Sequence, residues 1–114
     1  MPRFAILMYE DDHAWARLPK PRQEELLALY GAYVEDLKAR NVVVGGNAVG
    51  GPITVLTGKH GGAIDTALSS QTMDVLTGWF VVEVPDMNAA VALAKGCPAL
   101  LHGERVHVRP TGHA

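Results

Sequence analysis

Five histidines, one cysteine and a scatter of carboxylates are the residues of this chain that could do chemistry. An imidazole titrates near neutral pH and can move a proton in either direction. The histidines are His13, His60, His102, His107 and His113, and none falls in an H-E-x-x-H or paired C-x-x-C pattern. His102 and His107 are too irregularly placed for a common metal motif, so no metal site is expected. His102 follows a helix and precedes a strand, His107 alternates with Val106 and Val108, and His60 falls at a turn. Gly45 and Gly50 have phosphate-loop spacing. Gly51-Pro52 follows where lysine and a hydroxyl would be needed, and the plain reading is turns and bulges. Ser69 and Ser70 lack G-x-S-x-G context. Cys97, before Pro98, has no activating neighbour and reads as a small buried residue. Glu83 interrupts an apolar run, so it needs a partner, water or a raised pKa.

The composition bounds what surrounds these groups. The chain has 114 residues, enough for one domain over 1–114. Its 48% hydrophobic content is that of a folded protein. Ten basic against 12 acidic residues leave −2, which gives no general grip on nucleic acid or an anionic membrane. A single cysteine excludes an internal disulfide framework. No apolar run approaches the roughly 20 residues of a membrane span. Glu10, Asp11 and Asp12 follow the first apolar run at once, unlike a signal peptide, and the expected location is cytoplasmic.

The elements that must position the chemistry follow from periodicity. Arg3 to Tyr9 reads as a buried strand. Pro21 to Arg40 carries Leu26, Leu27, Tyr30, Tyr33, Val34 and Leu37 on one helical stripe, with Pro21 at its first turn and Asn41 as a left-handed stop. Val42 to Val44 is a short strand broken by Gly45-Gly46. Ile53 to Thr57 and Ala63 to Asp65 form a hairpin across Gly58 to Gly62. Ala67 to Asp74 reads as loop, and Trp79 to Val84 as a strand. Asp86 caps a second helix that Gly96 ends, and Arg105 to Arg109 is the last strand.

This order is an α+β, ferredoxin-like βαββαβ domain with an extra short strand, its antiparallel sheet carrying two helices on one face. The strand Arg3 to Tyr9 is apolar on both faces. A bare face of that kind would be a large exposed patch, so a second subunit is expected to cover it in a two-fold homodimer. The alternative cover is a loop such as Ala67 to Thr77.

Several stretches together resemble the YCII-related family, in particular its DGPF branch. They are Phe4 to Tyr9 with the acids and Trp15 beyond it, Tyr30-Gly31-Ala32-Tyr33, Val42 to Gly46, Gly78-Trp79-Phe80, Cys97-Pro98, His102-Gly103 and Val106 to Pro110. The resemblance implies a monomer that pairs sheet to sheet into a dimeric α+β barrel, with a cleft lined in part by an aspartate and a histidine. On this sequence those residues are Asp65 and His102. The chain departs from the branch where Asp65-Thr66-Ala67-Leu68 stands in place of Asp-Gly-Pro-Phe.

The resulting expectation is a cleft that binds a small organic molecule. Catalysis there would be proton transfer without a cofactor, of lyase or isomerase type. His102 would be the acid or base, Asp65 would orient it, and Tyr9, Arg109, Glu83 and Trp79 would place substrate. The alternative is a non-catalytic ligand-binding or protein-interaction module that has lost the Asp-Gly-Pro-Phe site.

Overall fold

The computed structural model describes residues 1–11, 14–51, 53–65 and 74–112, with the side chains of Ile64, Asp65 and Asp74 outside that description. The first strand, β1 (Arg3–Asp11), alternates strictly: Phe4, Ile6, Met8 and Glu10 are buried, while Ala5, Leu7 and Tyr9 are half-buried. It runs two residues past the expected end at Tyr9, through the acids Glu10 and Asp11. Arg105 holds the Asp11 carboxylate through both of its terminal nitrogens, at 2.9 and 3.1 Å.

The first helix, α1 (Lys20–Ala39), has a proline in its first turn and is followed by Asn41 at φ 58. Leu26 and Leu37 of the expected stripe are fully buried, and Tyr30, Tyr33 and Val34 are half-buried. Leu27 departs from the expectation: it is 59% exposed, because that side of the helix borders an open cleft rather than the sheet.

Strand β2 (Val43–Ala48) continues through Gly45-Gly46 instead of breaking there. A β-carbon on Gly46 would stand 2.5 Å from the Trp79 carbonyl oxygen and 2.7 Å from the Phe80 ring. Glycine therefore serves close strand approach here, not chain reversal. Strands β3 (Val55–Thr57) and β4 (Ala63–Asp65) form the expected hairpin, which is a two-stranded sheet of its own. The expected loop at 67–74 and the alternative cover at 67–77 lie outside the described residues as far as 73, and Asp74 to Thr77 belong to a strand instead.

Strand β5 (Asp74–Glu83) begins five residues before the expected start at Trp79. It does so because β1 is long enough to pair with all of it, from Arg3↔Glu83 to Asp11↔Asp74. Helix α2 (Met87–Ala94) is capped by Asp86, whose carboxylate accepts from the Ala89 N–H at 2.9 Å. A 3-10 turn at Pro98–His102 leads through Gly103, at φ 82, into β6 (Arg105–Pro110).

Strands β2-β5-β1-β6 form one antiparallel sheet in that order, giving an α+β architecture with two helices. Phe4, Ile6, Met8, Phe80 and Val82 of the sheet pack with Ala90 and Ala94 of α2 and with Tyr30, Tyr33 and Val34 of α1. The Tyr33 hydroxyl donates to the Leu93 carbonyl at 2.8 Å and ties the two helices together. The opposite sheet face, with Ala5, Leu7, Trp79 and Val81, is half-buried. Among the described residues no helix is long and apolar enough to cross a membrane.

Candidate functional site

A cleft of about 1220 Å³ opens between α1 and the β2 edge of the sheet. Its walls include Leu27 and Val34 of α1, Val44 and Val49 on the β2 side, and Phe80 of β5. Glu10, Glu104, Tyr30, Thr77 and Trp15 bring polar or aromatic groups to it. Both Glu10 and Glu104 are buried, at 7% and 6% exposure, which is rare for carboxylates without partners.

Each acid is held by a local feature of the chain. The β1 alternation turns Glu10 to the helix side, where its Oε2 accepts the Trp15 N–H at 2.8 Å. Gln23 Nε2 in turn donates to the Trp15 carbonyl at 2.8 Å, anchoring that turn to α1. Thr77 is the extra residue of a β-bulge: Met8 pairs with Gly78 and Tyr9 with Leu76. The bulge aims the Thr77 hydroxyl at Glu104 Oε1, with the Met8 carbonyl at 3.3 Å as a second acceptor. Glu104 itself stands two residues after His102, across the left-handed Gly103.

His102 does not line the cleft but adjoins two groups that do. Its side chain is 2% exposed. Nε2 lies 2.8 Å from the Tyr30 hydroxyl and 3.3 Å from Glu104 Oε2. Nδ1 is buried and has no hydrogen-bond partner among the described residues. Nε2 shares a hydrogen bond with the Tyr30 hydroxyl, and Glu104 Oε2 stands beside the pair. Trp15 meets the ring edge-on, with centroids 5.5 Å apart, and Tyr30 does so at 6.0 Å.

The electrostatics favour neutral forms. Burial lowers the His102 pKa from its ordinary 6.5; Glu10 opposes this, and Arg22 adds to it. Burial raises the Glu104 carboxyl; the Thr77 hydrogen bond opposes this, and the nearby Glu10 charge adds to it. Burial, then the Glu104 charge, keeps the Tyr30 phenol protonated far above its ordinary range. The Cys97 thiol is pushed up to about 11 by burial, so it is an inert core group.

The other anticipated residues lie elsewhere. The Asp65 side chain falls outside the described residues, and the described carboxylate beside His102 is Glu104. Tyr9, Trp79, Glu83 and Arg109 do not line the cleft. Tyr9 stacks on His107 with centroids 4.7 Å apart. Glu83 finds its partner in Arg3, at 3.0 Å. Trp79 is in register with Leu7 and Asn47, and Arg109 is exposed opposite Ala5. His60 is exposed at the hairpin tip, while His13 and His113 lie outside the described residues. Among the described residues no three His, Cys, Asp or Glu side chains form a metal-binding group.

Sequence reasoning passed over Glu10, Glu104 and Thr77, and assigned Tyr30 to the core stripe. Glu10 had a legible signal, since it continues the Phe4, Ile6, Met8 alternation. Thr77 had none, because a bulge has no local sequence mark. The family model described as YCII-related domain matches residues 2–111 of the chain. A search of curated proteins finds no match.

Proposed function

The chain belongs to the YCII-related domain family, and from that premise we propose that its cleft binds a small organic molecule and exchanges a proton with it through Glu104. The observation that carries this reading is a buried carboxyl, raised above its ordinary pKa, facing a cleft of about 1220 Å³. A raised carboxyl is a better proton acceptor near neutral pH than an ordinary one. His102 stands behind it, with Nε2 3.3 Å from Glu104 Oε2, and positions that carboxyl. Tyr30 holds the ring through that same nitrogen, at 2.8 Å. The reaction class is isomerisation or elimination, where one positioned group removes a proton and returns or transfers it.

The test is a fragment screen by NMR, followed by incorporation of solvent deuterium into whatever binds. Binding that shifts Thr77 and the Trp15 indole, with exchange lost in Glu104→Gln, supports the proposal. Binding without exchange favours the non-catalytic ligand-binding module. Absence of any cleft ligand removes both.

The proposal extends to assembly and lineage. The strand order β2-β5-β1-β6 supports the ferredoxin-like arrangement, and the half-buried face of Ala5, Leu7, Trp79 and Val81 supports a sheet-to-sheet homodimer. Tyr9, Arg109, Glu83 and Trp79 would then serve that interface side rather than the cleft. The DGPF branch, with Asp65 as a further polar group, and a cytoplasmic setting belong to the same reading.

A further inference from the structure

The charged side chains lining the cleft are unbalanced. Glu10, Glu35 and Glu104 contribute carboxyls, against one cation, Lys38. Lys38 already lies 3.7 Å from Glu35, and both of those side chains are largely exposed. The two buried acids are therefore left with no cationic side chain among the described lining residues. Two buried acids lining one cleft make a poor seat for an anionic group. Among the described residues the hydrogen-bond donors to these acids are neutral: the Trp15 amide for Glu10 and the Thr77 hydroxyl for Glu104.

The aromatic groups point the same way. Trp15 is joined to Glu10 through its backbone, and Tyr30 is joined to Glu104 through His102. Phe80 lines the same cleft. Carboxylates set among aromatic rings recognise an organic cation, whose charge meets the acids and whose hydrocarbon faces the rings. Leu27, Val34, Val44 and Val49 give part of the wall an apolar surface, which suits an organic body rather than a hydrated metal ion.

Resting on the proposed cleft, we infer that its ligands are organic ammonium compounds, with the cationic end between Glu10 and Glu104 and an apolar body lying between α1 and β2. The fit excludes carboxylate-ended molecules of the same shape.

The test compares three probes that share one ring system: tryptamine, tryptophol and indole-3-propionate. Each is titrated into the wild-type protein near neutral pH and followed by NMR. The expected result is cleft shifts with tryptamine, binding roughly tenfold tighter than tryptophol, and no binding of indole-3-propionate. Glu10→Gln and Glu104→Gln should each erase most of the tryptamine advantage. Cleft binding in which the neutral or anionic probe equals tryptamine overturns the inference while leaving the cleft reading intact. Absence of cleft shifts with all three overturns both. The wild-type comparison decides the matter even if a glutamine variant fails to fold.

Discussion

The Tyr30 hydroxyl lies 2.8 Å from His102 Nε2, joining the middle of α1 to the turn that precedes the last strand. That contact fixes the ring that adjoins Glu104, and it is made in a buried setting where each polar group needs its partner. Tyr30→Phe removes the hydroxyl and keeps the ring packing. The expected cost is about 1 kcal/mol of stability, read by urea denaturation. The His102 Nε2 resonance should move at the same time. An unmoved resonance would mean that the two groups do not bond in solution.

Stability should depend on pH through two opposed groups. Glu104 has a raised pKa in the fold, so its contribution is fully present below the ordinary 4.5 and is lost as pH rises through the folded value. His102 has a lowered pKa, so its contribution is present above 6.5 and is lost as pH falls through the folded value. Denaturation midpoints measured across pH should show Glu104→Gln flattening the first limb and His102→Gln the second. Unchanged profiles in both variants would contradict the burial of the pair.

Gly46 and Gly45 should respond differently to alanine. A β-carbon at Gly46 meets the Trp79 carbonyl at 2.5 Å, whereas at Gly45 nothing lies within 4 Å. Gly46→Ala must push β2 from β5, at a cost of roughly 1–3 kcal/mol. Gly45→Ala should be near neutral. Thermal melts that rank the two variants in the reverse order would refute the close approach of these strands.

The second helix is short, and its cap is the local signal that starts it. Asp86→Ala leaves the Ala89 N–H without its 2.9 Å acceptor and should cost about 1 kcal/mol. Asp86→Asn should retain most of that stability. Chemical denaturation of the three proteins checks the ranking.

The proposed dimer is tested by light scattering. The chain mass is 12.2 kDa, and the expected mass in solution is twice that. Trp79→Asp, on the half-buried sheet face, should shift the mass toward the monomer. A monomeric wild type at micromolar concentration would leave that face without the cover proposed for it.

Much of the local structure is legible in the sequence because short-range physics controls it. The short apolar run Arg3 to Tyr9 marks a strand, with apolar residues on both of its faces. Asp86 marks a helix start and Asn41 a helix stop. His102 stood out as the imidazole at a helix-to-strand junction. What the sequence could not show is what His102 would meet. Tyr30 is 72 residues away along the chain, and its place on an apolar stripe marked it only as core. Thr77 reaches Glu104 because one residue of β5 bulges against β1, an offset created by pairing and absent from either strand alone. The length of β5 and the continuity of β2 through two glycines likewise depend on the partner strand. The sequence determined most of the elements and the candidate imidazole, since those follow from neighbours a few residues apart. Tertiary structure alone decided which carboxylates share the cleft, because burial and strand register are properties of segments brought together, not of any one of them.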